Sequence, residues 1–309
     1  MSVTNGLKLM ALLIAFGCVA CTANGDNQKS ATQLPDLPAN FGEYWYQGVA
    51  ELTHFQLEQA RYGEIREGDA VLIFVTEDFL AQSQVKYEFG EPKEPIEKVL
   101  KLNANRRFFT GIYPYSTLTS VFTPVDPQHL HSLKLTNSVQ EWCGQVYSQL
   151  NLRENQYQVV SHSYFQKEGD QQLLIAAKWL EDELWTRLRL NPASLPTGNF
   201  EILPSALYLR FRHKPFQLEK ATAEITDFSD ETLSDKPLKA YSLNYSTIRR
   251  SLKIIYEAEF PFKIVAWEEK IPGANDWLTT SARKISETVT DYWSKNAVAD
   301  SVYRKQFGF

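Results

Sequence analysis

From residue 69 onward the chain is written in short stretches where apolar and polar residues alternate, and most of them end on a turn signal. In "VLKLNANRRFF" (99–109), Leu100, Leu102 and Ala104 alternate with Lys101, Asn103 and Asn105. A period of two puts alternate side chains on opposite faces of a strand, so this stretch reads as a strand buried on one side. "HSLKLT" repeats the pattern with Leu133 and Leu135, and "QYQVVSHSYFQ" with Tyr157, Val159 and Phe165 opposite His162. "LYLRFRH" sets Leu207, Leu209 and Phe211 against Tyr208, Arg210 and Arg212. "DAVLIFVT" (69–76) holds a continuous apolar run from Ala70 to Val75, which suits a strand covered on both faces. Further strands are expected in "AYSLNYS", "SLKIIYEAEF", "FKIVAWEEK" and "TTSARKISETVTDYW". Turns fall at Gly63, Gly68, "GEPKEP", "TPVDP", "LRENQ", "SDETLSDKP" and "IPGAND". Aromatic residues make up 13% of the chain and there are only 2 Met, a mix that favours pleated surfaces over helices.

One segment has a different period. In "LLIAAKWLEDELWTRLRLNP", Leu173, Ala177, Leu180, Leu184 and Leu188 recur at helical spacing. Arg187 and Arg189 sit where cations suit a helix C-terminus, and Asn191-Pro192 ends the run. The expectation is a helix over residues 173–190 packed against a curved antiparallel sheet or open half-barrel. Glu181, Asp182 and Glu183 cluster away from the apolar stripe. An apolar pocket is expected between helix and sheet, lined by Tyr, Phe and Trp.

The amino terminus speaks to compartment. Lys8 precedes the apolar run Leu9–Phe16, which is too short to span a bilayer as a helix, since about 20 residues are needed, but suits a secretory signal. Small residues precede both Cys18 and Cys21, and Thr22-Ala23-Asn24-Gly25-Asp26 turns abruptly polar. This resembles the lipobox of bacterial lipoproteins, which implies that Cys21 (alternative Cys18) becomes the first residue of the mature chain and carries a diacylglycerol. Residues 1–20 then form the signal, 21–40 a tether without apolar periodicity, and 41–309 one β-rich domain. The expected place is the cell envelope, anchored to the outer membrane on its periplasmic or surface face. The 3 cysteines offer no disulfide framework.

Composition narrows function by exclusion. The net charge is −5 and there is no basic run, so nothing is built to coat nucleic acid. There is no Walker loop and no GxGxxG, and no cofactor is implied. His129 and His131 in "HLHS", with Asp126 nearby, have no obvious third histidine and read as a surface pair, so no metal is expected. In "QEWCGQ", Cys143 beside Trp142 and Gly144 reads as a small buried hydrophobe in a strand. The alternative is a hydrolase with a Cys143 nucleophile served by His162 on the next strand. Glu141, Glu181, Asp182 and Glu183 suggest no acid–base pair. Arg187, Arg189, Arg210 and Arg212 are the candidates for contact with an anion or a partner. A terminal Phe309 and many strands also suit an outer-membrane β-barrel, although Lys305 breaks the final alternation.

The stretches "YWYQGVAELTHFQLEQARYGEIREGDAVLIFVTEDF", "RRFFTGIYPYS", "TSVFTPVD", "SVQEWCGQVYSQLN", "LEDELWTRLRLNPASLPTGNFEILPS" and "YLRFRHKPF" resemble an uncharacterised family of lipoproteins from Bacteroidetes-type bacteria. Its members are often labelled septum formation inhibitor Maf. That label would imply a nucleotide pyrophosphatase, but true Maf proteins carry a Ser-x-Ser-Pro-Arg-Arg loop. Here Arg106-Arg107 follows Asn103-Ala104-Asn105, so no catalytic residue carries over. The segment "ELWTRLRLNPASLPTGNFEILPS" is also similar to periplasmic half-barrels of the lipoprotein-carrier type, an analogy of fold. Together these readings imply a lipid-anchored envelope protein of the non-catalytic binding type, for an apolar or lipid-like ligand or an envelope partner.

Overall fold

In a computed structural model, residues 1–2 and 34–308 are described. The expected signal, Cys18, Cys21, most of the tether and Phe309 lie outside the described residues. One compact unit runs from Gln33 to Phe309. It begins before residue 41: Leu34 is buried and its N–H donates to Pro127 O at 3.3 Å. The last part of the expected tether therefore belongs to the body.

The alternating stretches form a single 16-stranded sheet. In chain order the strands are β1 (Ala50–Arg61), β2 (Glu64–Leu80), β3 (Val85–Lys86), β4 (Ile96–Thr110), β5 (Tyr113–Pro124), β6 (Lys134–Glu141), β7 (Gly144–Arg153), β8 (Gln156–Ser163), β9 (Gln171–Ala176), β10 (Trp179–Leu180), β11 (Gly198–Leu203), β12 (Glu219–Phe228), β13 (Leu238–Tyr245), β14 (Arg250–Glu257), β15 (Ile264–Pro272) and β16 (Trp277–Thr290). The order across the sheet is β10-β11-β12-β13-β14-β15-β16-β1-β2-β4-β5-β6-β7-β8-β9, with β3 paired to β2. Pairing is antiparallel except between β10 and β11. The sheet's two edges, β9 and β10, are neighbours in sequence, yet no ladder joins them. The sheet is open, as the sequence leads one to expect.

Short helices complete the unit: α1 (Phe41–Trp45), α2 (Leu184–Leu190), α3 (Ala206–Phe211) and α4 (Val302–Phe307). Two of them correct the sequence reading. The helix expected over 173–190 is α2 alone, preceded by a 3-10 turn at Glu181–Glu183. Leu173 lies instead on β9, where residues 171–176 pair with β8. The helical spacing of the leucines was real only within 184–190, where burial is complete on every side and amphipathic periodicity has no meaning. "LYLRFRH", expected as a strand, is α3. The Asp182 carboxylate accepts the Ala206 N–H at 2.8 Å and so satisfies one of the donors a helix start leaves open.

The inner face of the sheet closes on α2. Leu184 and Leu188 are fully buried, and Trp185 meets Trp267 edge-on at 5.3 Å, with Phe55 behind it at 4.8 Å. The charged residues around α2 are buried too, each tied to a separate part of the fold. Glu181 takes the Arg250 guanidinium of β14 and the Tyr245 hydroxyl, the latter at 2.7 Å. Glu183 accepts the N–H groups of Ser132 at 2.6 Å and Leu180 at 2.9 Å. Arg187 donates to His129 O at 2.7 Å, and Arg189 reaches Glu51 on β1. Buried charges persist only when paired in this way. The expected apolar pocket beside the helix is filled. The space lined by Leu72, Leu102, Trp185 and Trp267 measures about 30 Å³, the scale of a water molecule.

Candidate functional site

With the inside packed, the roomy concavities lie on the outside. The outer face of β1, β2 and β4 is unusually apolar. Leu52 pairs with Ile73 and His54 with Val71, all on the side opposite Phe55 and Leu57. Across the next ladder, Asn105 stands beside Val71 and Arg107 beside Asp69. The chain after β16 returns over this face, and Phe307 of α4 packs on the cluster of Ala50, Leu52 and Val75. Between α4 and the strands runs a groove of about 720 Å³, floored by Leu52, Val71, Ile73 and Leu118 and walled by Tyr303 and Phe307. Its size is that of small-molecule sites, and its apolar floor is ringed by polar and charged side chains, among them Asp69, Arg107, Glu287, Lys295, Asp300 and Arg304.

The charges at its rim differ in how committed they are. Glu287 is bridged to Lys263, Lys295 to Asp291, and Asp69 to His54. Asp300 accepts the Ala297 N–H at 2.9 Å. Arg107 and Arg304 line the groove, are exposed, and form no ion pair among the described residues. Two uncommitted guanidiniums over an apolar floor suit an anionic head and an apolar tail.

A larger groove, about 950 Å³, lies at β11–β16. Its floor is one rung of amide and hydroxyl side chains with a lysine, Asn199, Thr222, Asn244, Ser251, Lys270 and Thr279, paired strand to strand. An apolar tail gains little there, because polar side chains would have to give up water.

The residues singled out in the sequence are dispersed. Arg187 and Arg189 are consumed inside the fold, and Arg210 is buried on α3 with Glu168 at 3.4 Å. Arg212, just past α3, is exposed, so the four arginines do not share a surface. Cys143, expected to be buried in a strand, is exposed in the turn between β6 and β7. A two-residue hairpin turn needs no packed side chain, and the Cys143 N–H donates to the Glu141 carboxylate at 2.6 Å instead. A side-chain hydrogen bond from the thiol itself to Glu141, and then the Glu141 charge, push the thiol upward, away from the thiolate a nucleophile needs. His162 stands 3.2 Å from Asp170.

His129 has Glu97 at 3.4 Å, and with Asp126 these form a three-residue cluster with ligand atoms within 4.8 Å of one another. Sequence reasoning missed Glu97, which lies on β4. Burial, and then Asp126, raise its carboxyl, while His129 works against them. His131 turns the other way, with Nδ1 3.7 Å from Glu183. The groove residues carried one sequence signal, the unbroken apolar run at 70–75, which required cover on both faces.

No protein family, no curated protein and no solved structure matches this chain.

Proposed function

We propose that this is a lipid-anchored protein of the cell envelope, of the non-catalytic binding type, and that it holds an amphipathic anion with one acyl-type tail in the groove beneath α4. The observation that carries the reading is an apolar floor (Leu52, Val71, Ile73, Leu118) beside two exposed arginines, Arg107 and Arg304, that form no ion pair among the described residues. Burying a tail on such a floor contributes about 25 cal/mol per Å² of apolar surface, and the arginines hold the head with charge-assisted hydrogen bonds. The envelope setting rests on "LLIAFGCVACTANGDNQKS" and a lipid on Cys21 (alternative Cys18). An anchor of this kind would keep the groove near the membranes from which such molecules come.

Titration of the mature protein with dodecanoate below its micelle concentration tests the reading. Saturable binding is expected. Replacing both Arg107 and Arg304 by Ser should weaken the anion by about tenfold or more, the scale of a lost charge-assisted hydrogen bond, and leave its neutral glycerol ester unaffected. Leu118→Glu should weaken both ligands. Absence of saturable binding, or binding indifferent to all these changes, would overturn it.

A further inference from the structure

The larger groove, on the outer face of β11–β16, has a chemistry of its own. Its row of amide and hydroxyl side chains runs straight across the strands: Asn244 pairs with both Thr222 and Ser251, and Lys270 with both Ser251 and Thr279. The alternate residues Ala221, Ala223, Leu243 and Leu252 belong to the core, so the row faces solvent. Strands lie about 4.8 Å apart, which makes a row across these six about 24 Å long. At one end Thr222 donates to Asn199 at 2.5 Å. The side chains of Asn244, Ser251 and Thr279 form no hydrogen bond among the described residues, which leaves the rest of the row open to a ligand.

Beside this row, toward the strand ends, stand Glu201, Lys220, Arg249 and Trp277. Trp277 is 47% exposed, and the Arg249 guanidinium lies over its ring at 5.4 Å. Lys220 and Arg249 are exposed and form no ion pair among the described residues. Glu201 has Lys178 at 3.6 Å, and Lys270 has only a distant Glu268 at 3.9 Å. Arg250 also lines the groove but is buried and spent on Glu181. The uncommitted charge of this face is therefore positive.

Amides and hydroxyls both donate and accept, as sugar hydroxyls do, so they can exchange bound water for a sugar without leaving a polar group unpaired. An alkyl chain offers no such exchange. A sugar ring also carries C–H bonds on its faces, which settle on an indole ring. Free cations favour a carboxylate. We infer that this face binds an acidic oligosaccharide laid across β11–β16. Its hydroxyls meet Asn244, Ser251 and Thr279, one ring rests against Trp277, and its carboxylates meet Lys220, Arg249 and Lys270. The length of the row suits several sugars in line. The site shares no lining residue with the groove beneath α4 and does not depend on it.

Calorimetric titration of the mature protein with tetragalacturonate in calcium-free buffer tests the site. Saturable binding is expected, and it should weaken several-fold when salt is raised from about 0.05 to about 0.3 M. The methyl ester of the same tetramer keeps the ring hydroxyls and loses the charge; it should bind about tenfold more weakly. Free galacturonate, which reaches only part of the row, should bind more weakly than the tetramer. Lys220→Ser combined with Arg249→Asn should cost the acid about tenfold and the ester little, and should flatten the salt dependence. Asn tolerates the left-handed backbone at position 249, where φ is 51°. Trp277→Ala should weaken acid and ester alike by several-fold, and Trp277→Phe should recover most of that loss. All three positions are exposed, so these variants leave the core intact. No saturable binding of the tetramer, equal binding of acid and ester, or indifference to Trp277→Ala would overturn the site.

Discussion

The Arg189 guanidinium and the Glu51 carboxylate form a two-pronged bridge inside the sheet, Nη1 to Oε1 at 2.5 Å and Nη2 to Oε2 at 2.7 Å, with neither group exposed to solvent by more than 2%. The bridge ties α2 to β1 across 138 residues of sequence. The Tyr44 hydroxyl also donates to Glu51, and Arg189 Nε donates to Pro261 O at 2.9 Å. Burial alone would raise the Glu51 carboxyl; Arg189 and Tyr44 outweigh it and hold it below the usual range.

Breaking this bridge from one side should be costly. Arg189→Ala leaves a buried carboxylate without its partner, and urea unfolding should show a loss of about 3–5 kcal/mol. Replacing Glu51 and Arg189 together by Leu should recover much of that. Because the folded-state pKa of Glu51 is lowered, its contribution is present above the unfolded value and is lost as pH falls through the folded one. A loss below about 1 kcal/mol in Arg189→Ala would mean the bridge does not hold α2.

Asp182 carries the opposite sign. Burial, and then the neighbouring Glu181, push its carboxyl up to about 6. A raised folded-state pKa means that its contribution is present below the unfolded value and lost as pH rises through about 6. Asp182→Asn keeps an acceptor for the Ala206 N–H and removes the charge. It should stabilise the protein at pH 7.5 by about 1–3 kcal/mol, with the gain shrinking toward zero near pH 4. Denaturant midpoints of both proteins at the two pH values test this, and destabilisation at pH 7.5 would refute it.

Cys143 is accessible but disfavoured as a thiolate. Polar thiol reagents should label it slowly at pH 7 and faster as the pH rises. Glu141→Gln should speed labelling at pH 7 several-fold, because the hydrogen bond and charge that raise the thiol are gone. Cys143→Ala should leave folding and dodecanoate binding unchanged. Loss of a hydrolytic activity in that variant would point instead to a thiol enzyme.

Much of the sheet was legible because its inner residues obey period two. Leu100, Leu102, Leu135, Tyr157 and Val159 are all buried in the inner core as the alternation requires, whereas Leu133, expected inward beside Leu135, lies just before β6 and packs with Phe79 and Val99 in a separate cluster. The segment around α2 was not, because Glu181, Glu183, Arg187 and Arg189 look solvated until their partners are known, and Glu51, Ser132 and Arg250 come from distant strands. In α3 the alternation of Leu207, Leu209 and Phe211 imitated a strand; all six of its residues are buried and tertiary packing overrode the pattern. The groove was half written in residues 70–75. A run apolar on both faces called for an outer cover, and α4 supplies part of it.

Membrane attachment should follow the amino terminus. Replacing Cys21 by Ala should release the protein to the soluble periplasmic fraction or leave an uncleaved precursor. Each buried methylene of a lipid contributes about 0.8 kcal/mol, and two or more chains hold where a single one is marginal. Unchanged attachment in that variant would shift the lipid to Cys18, and unchanged attachment with both replaced would refute the anchor.

The most direct measurement is methyl NMR of the protein during a dodecanoate titration. The groove reading predicts saturable shifts at Leu52, Val71, Ile73 and Leu118, while Leu184 and Leu188 around α2 stay put. Shifts centred on Leu184 and Leu188, or none that saturate, would contradict it.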